Sequence, residues 1–168
     1  MGSRSKTKAQ IANDNRIEGS AFEKLFLKRA QLSGLLAIKN HLQAKMTYGG
    51  RYQVLKSDLD YKLITQEGRI GFFDCKNFAS DSFPRSQISD NQVERAILYN
   101  EWKVPAGFIV FFRAAKSVCF FSGMDLEGKE GGRLSYLDGF LLGTWDSFDL
   151  KLLFTDTCQR GALGKIFR

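Results

Sequence analysis

The sequence predicts an α/β (α+β) fold in which helices flank a mixed central β-sheet, and three observations predict it. A helical repeat opens the apolar part of the chain. A hairpin of alternating residues follows it, and a second helix then precedes a pair of short apolar strands. The order is one helix, three strands, one helix and two strands, and the 168 residues suffice for one domain with a hydrophobic core.

Residues 1–16 carry Arg4, Lys6, Lys8 and Arg16 against Asp14 alone, with few apolar side chains. That is the composition of a disordered basic N-terminal arm, which leaves 17–168 as a single folded domain. From Ser20, the residues Phe22, Leu25, Phe26, Ala30 and Leu32 recur at helical spacing, and Gly34 supplies a stop. Leu35–Ile38 reads as the first strand and Tyr48-Gly49-Gly50 as a turn. Leu59–Ile64 and Arg69–Lys76 follow as strands joined by Thr65-Gln66-Glu67-Gly68. Beyond a loop holding Pro84, a helix is expected over Asp90–Glu101. Phe108–Phe112 and Ser117–Phe121 then form another hairpin, and Phe148–Phe154 reads as a short strand or helix. Trp102, Trp145 and most of the fifteen phenylalanines are expected in the core.

Composition removes several function classes. The longest apolar run, Ala106–Phe112, is too short to span a bilayer, and the polar, basic N-terminus is unlike a secretory signal, so a cytoplasmic setting is expected. Cys75, Cys119 and Cys158 are odd in number and widely spaced, which argues against a disulfide framework or a zinc site. His41 is the only histidine, so a metal centre built from imidazoles is excluded. A metal here would need oxygen ligands, which means magnesium or manganese. The net charge of +7 favours polyanionic partners, nucleic acid or an acidic membrane surface. No strongly amphipathic basic helix supports the membrane.

The hairpin carries the chemistry. Gly68 suits the left-handed position of a three-residue turn, Gln66-Glu67-Gly68. That register pairs Ile64 with Ile70, Lys62 with Phe72, Asp60 with Asp74 and Asp58 with Lys76. Alternation then puts Asp58, Asp60, Asp74 and Lys76 on one face, at the edge of the apolar Ile64, Ile70 and Phe72. Opposed carboxylates repel unless a cation lies between them, so this pattern suits a divalent metal. Such a metal would lower the pKa of a bound water, and Lys76 would orient that water and offset charge developing on a phosphate. A bare Asp-x-Lys motif is more often an ordinary solvated strand face; the paired register, the basic composition and the missing histidines are what favour the site.

At this point the chain resembles a known family. Asp60 and the segment GRIGFFDCKN (68–77) resemble the PD-(D/E)xK nuclease superfamily. NRIEGSAFEKLF (15–26) is similar to the opening helix of RecU-type Holliday junction resolvases, and DSFPRSQISDNQVERA (81–96) to the stretch after their catalytic strand. The blocks keep the family's order, with looser similarity through AGFIVFF (106–112). The resemblance implies a restriction-endonuclease-like core and a magnesium-dependent homodimer, with manganese as a substitute, that resolves four-way DNA junctions in recombination and repair. It implies metal ligation by Asp60, Asp74, Glu23 and the Cys75 carbonyl, with Lys76 and Gln92 as catalytic residues alongside Glu23.

Several alternatives stay open. Ser20–Glu23 and Ser89–Gln92 both read equally as helix capping boxes. Glu23 falls within the apolar arc of its helix, where a carboxylate needs a partner. Either Asp58 or Asp60 can be the first strand ligand, with Asp58 otherwise an added ligand. Phosphate-binding candidates around the hairpin are Lys24, Lys28, Arg51, Lys56, Lys62, Arg69 and Arg85, together with Lys103. Tyr52 and Phe83 are candidates for stacking on bases. The stretch Gly49–Asp58 is short where RecU-type enzymes carry a long stalk, Asn91 stands in place of the family's histidine, and Asp74 replaces the commoner Glu. The alternatives to junction resolution are cleavage of other branched or single-stranded DNA, and non-catalytic nucleic-acid binding on the same fold.

Overall fold

The computed structural model describes residues 7–40, 44–46, 52–54, 59–156 and 158. Its first helix, α1 (Lys8–Leu32), starts twelve residues before the expected Ser20. A capping box explains the early start: Gln10 donates its backbone N–H to Thr7 Oγ1 at 3.3 Å, and Thr7 donates its own to Gln10 Oε1 at 2.9 Å. The expected arm over 1–16 is therefore helical from Lys8 onward, and Ser20 lies mid-helix instead of serving as a cap. The stop at Gly34 is as the sequence suggests. Gly34 takes φ +69° and donates to Gln31, while Leu35 donates to Ala30, the paired bonds of a Schellman motif.

Eight further strands accompany the hairpin among the described residues. The chain continues through β1 (Leu36–Lys39), β2 (Ala44–Met46), β3 (Tyr52–Val54), β4 (Tyr61–Ile64), β5 (Ile70–Phe78) and β6 (Ser82–Pro84). It then forms α2 (Asp90–Glu101), β7 (Ala106–Phe112), β8 (Ser117–Ser122), α3 (Gly123–Leu126), β9 (Arg133–Ser135) and β10 (Phe140–Thr144), and closes on a 3₁₀ turn over Leu150–Phe154. Among the described residues, six strands make one sheet in the order β1-β4-β5-β7-β8-β10. Only β5 and β7 run parallel, so the sheet is mixed. The small ribbons β2–β3 and β6–β9 were not expected from sequence, because three-residue strands leave too little alternation to read.

Each face of the sheet has its own core. Phe22, Phe26 and Ala30 of α1 pack with Tyr61, Leu63, Phe73, Ile109 and Phe111 on one side. Val93 and Ala96 of α2 pack with Phe108, Val110, Phe112, Cys119 and Phe121 on the other. Burial on both faces explains why the central β7 is a continuous apolar run, AGFIVFF. Two expectations fail here. Trp102, placed in the core from its size, is 77% exposed just past the end of α2. Phe83, offered for base stacking, is fully buried and stacks on Phe78 at 4.5 Å.

The hairpin register is largely as expected. Ile64 pairs with Ile70 and Lys62 with Phe72, and Gly68 takes φ +80° in the turn. The ladder ends one rung short of the acidic pair, however, at Tyr61–Phe73. The chain bends at Asp60, where Asn40 holds it by donating its backbone N–H to the Asp60 carbonyl and its amide to the Leu59 carbonyl, both at 2.7 Å. Like charges set opposite each other would destabilise that last rung. On its other edge β5 pairs with β7 from Phe72 to Phe78, while on the β4 edge the ladder stops at Phe73, so the sheet opens beside Asp74.

Candidate active site

Asp74 is the centre of the site. It is 1% exposed on β5, and its Oδ2 accepts from Lys76 Nζ at 2.8 Å and from Gln92 Nε2 at 2.5 Å. A buried carboxylate is stable only with such charged and amide donors. Alternation along β5 brings Lys76 to the same face, where it is 24% exposed and faces solvent as well as Asp74. Gln92 arrives from the first turn of α2. Its backbone N–H is capped by Ser89 Oγ at 3.3 Å, but its side chain crosses to Asp74 and leaves the cap. The Gln92 side chain therefore closes no capping box and bonds Asp74 instead.

Asp60 stands half-buried at the bend. Burial raises its carboxyl above the ordinary range, and the charge of Asp74 raises it further, against the lowering pull of Lys76 and Lys39. Two carboxylates close enough to repel form an anionic pair that a divalent cation would relieve, and the donor set is all oxygen. These residues fit magnesium or manganese.

Glu23 is differently placed. Its Oε2 accepts from Tyr61 Oη at 2.6 Å and from Lys39 Nζ at 2.7 Å. Burial alone would raise this carboxyl, but those two bonds outweigh it and hold Glu23 below the ordinary range. The partner that sequence reasoning required for a carboxylate on an apolar arc is thus supplied by the protein itself. Among the described residues no three His, Cys, Asp or Glu side chains converge as a ready-made metal centre, so Glu23, Asp60 and Asp74 are neighbours in charge without meeting at one point. Asp58 lies outside the described residues, as do Arg51, Lys56 and the turn at Tyr48–Gly50.

Cys75 points the other way from Asp74, and burial followed by the charge of Asp74 pushes its thiol well up, so it is no nucleophile. Its carbonyl remains on the strand between Asp74 and Lys76. Lys39, Tyr61 and Asn40 escaped the sequence reading. Their link to Glu23 and Asp60 depends on the pairing of β1 with β4, in which Lys39 stands opposite Tyr61, and 21 intervening residues hide that register.

The basic candidates divide. Lys24 and Lys28 are exposed on α1, and Lys62 lies over the Phe72 ring at 5.7 Å. Arg69 sits at the hairpin turn over Phe154, seven residues and roughly 23 Å of strand from Lys76. Arg85, expected at a phosphate, is instead a buried structural residue. Its guanidinium donates to the carbonyls of Leu126 at 3.3 Å and Ile88 at 2.7 Å, and to Asp90 Oδ1 at 3.1 Å.

Comparison with known proteins places the fold. The chain is similar to Hjc, a Holliday junction resolvase from the archaeal hyperthermophile Archaeoglobus fulgidus, with a TM-score of 0.52 and 16% identity. The match covers 73% of this chain and 95% of that one. At this identity the likeness establishes a common restriction-endonuclease-like architecture. No protein-family model matches the sequence, and no curated protein does.

Proposed function

We propose that this chain is a divalent-cation-dependent DNA endonuclease of the PD-(D/E)xK superfamily, akin to the RecU-type resolvases, that cuts four-way junctions as a homodimer. The observation that carries the reading is the buried Asp74 carboxylate, gripped by Lys76 and Gln92 and facing the repelling charge of Asp60. A neighbour whose name records junction resolution supports the substrate.

Asp60 and Asp74 would hold the cation, with Glu23, the Cys75 carbonyl and Asp58 as further oxygen donors. Bound there, magnesium or manganese would make water acidic enough to serve as a nucleophile at neutral pH. Lys76 keeps one flank open to solvent, where its ammonium can orient that water and offset charge on the scissile phosphate. Gln92 fixes the rotamer of Asp74 and thereby the aim of its other oxygen. Lys24, Lys28 and Lys62 would grip the backbone phosphates.

Two symmetric cuts need two sites related by a twofold axis. The homodimer is supported by an apolar sheet face beside the site. Leu36, Ile64 and Ile70 stand in one row across β1, β4 and β5, with Ile38, Lys62 and Phe72 in the next. Leu36, Ile38 and Ile70 are exposed, while α2 packs on β7 and β8.

The test is incubation with a labelled four-way junction, with and without magnesium. Symmetric nicked duplexes, with flaps and linear duplex left intact, are expected. Cutting of flaps or forks would favour the second reading, to which the short Gly49–Asp58 stretch points. Binding with no cutting in either metal would leave a non-catalytic DNA-binding protein.

A further inference from the structure

The third carboxylate of the site is already occupied by a cation of the protein's own. Lys39 and Tyr61 both donate to Oε2 of Glu23, which leaves Oε1 without a hydrogen bond from any described residue. The two donors differ in kind. Tyr61 is fully buried on β4, its ring packed against Phe26 at 4.9 Å, so its hydroxyl is fixed. It is also neutral, and can go on donating to a carboxylate whose other oxygen binds a metal. Lys39 ends the edge strand β1, its side chain is 50% exposed, and its ammonium lies 5.4 Å over the Tyr61 ring. It is a second positive charge on the same carboxylate. A divalent ion and an ammonium sharing one carboxylate repel, and only the lysine has both the freedom and the solvent to leave.

We propose that Lys39 is the resident counter-ion of Glu23, displaced when a divalent cation recruits that carboxylate to Asp60 and Asp74, while Tyr61 keeps Glu23 within reach. Lys39 is thus a positioning residue that competes with the metal. The inference rests on the metal-dependent reading above and explains why Glu23 lies near the acidic pair without converging on it.

Manganese binding to the full-length protein without DNA tests it, by titration calorimetry or the loss of the free Mn2+ resonance signal. An ion pair half open to water is worth little, so Lys39→Met is expected to bind Mn2+ roughly two- to fivefold more tightly than wild type at low salt. In a Glu23→Gln background the same substitution is expected to gain distinctly less, by under about twofold, since Lys39 has then lost the carboxylate it hydrogen-bonds and keeps only its longer-range pull on Asp60. Tyr61→Phe keeps the ring and the packing, and is expected to bind roughly tenfold more weakly. Lys39→Met binding no tighter than wild type, or a gain that persists undiminished beside Glu23→Gln, would overturn the inference. So would unchanged affinity in Tyr61→Phe. If wild type shows no saturable Mn2+ binding that Asp74→Asn removes, the metal-dependent reading itself falls and takes the inference with it.

Discussion

Replacing Gln92 by alanine probes the centre of the site directly. The amide is nearly buried, and its Nε2–Oδ2 bond of 2.5 Å is one of two donors to a carboxylate that water hardly reaches. Removing it leaves Asp74 with Lys76 alone, at 2.8 Å. A hydrogen bond to a buried charged group is worth about 1.5–3 kcal/mol. The helix start is untouched, because Ser89 caps the Gln92 backbone N–H and not its side chain. The whole cost therefore falls on the Asp74 pocket. At about 2–4 °C per kcal/mol for a domain of this size, the melting temperature of the metal-free protein should fall by roughly 3–12 °C. The same loss frees the Asp74 rotamer, so junction cleavage at sub-saturating magnesium should fall about 10- to 100-fold. Calorimetry and a cleavage assay on one preparation read both. A melting point within about 1 °C of wild type would refute the claim that Gln92 stabilises the buried Asp74 side chain.

Other consequences follow from the same geometry. Lys76→Ala should reduce cleavage by at least on the order of 10²-fold while leaving junction binding in a gel-shift assay nearly intact, because it removes one phosphate-facing charge among several. Asp60 has its carboxyl raised by burial and by Asp74, so its contribution to stability is full below its ordinary pKa and is lost as pH rises through the raised value. Asp60→Asn should accordingly melt above wild type at pH 7 without metal, with a gap that narrows as pH falls toward the ordinary carboxylate range; a gap independent of pH would contradict the assigned repulsion. Arg85→Ala should destabilise the fold by roughly 2–3 kcal/mol in urea unfolding, since it strips two buried carbonyls of their donor and opens a cavity, without changing the salt dependence of DNA binding. Ile38→Glu should convert a dimer to monomers in sedimentation at an unchanged monomer fold, because Ile38 is exposed on its strand.

What the sequence determined by itself was mostly local. The hairpin turn at Gly68, the stop at Gly34, the bounds of α2 and the shared face of Asp74 and Lys76 all follow from dihedral preferences, capping chemistry and the two-residue strand period. The exclusion of an imidazole-built metal centre followed from counting a single histidine. Tertiary structure decided the partners. Gln92 lies eighteen residues from Asp74, and a short cap motif cannot say whether its amide turns back to Ser89 or across the sheet. Arg85 looked like a surface cation until the carbonyls of nearby Ile88 and distant Leu126 enclosed its guanidinium, and Trp102 looked like core but stands exposed just past the end of α2. Glu23 found Lys39 and Tyr61 only because β1 pairs with β4 beneath α1. Periodicity fixes which way a side chain points, but the energy of a buried charge depends on what the rest of the chain brings to it, and that is settled only when distant segments pack.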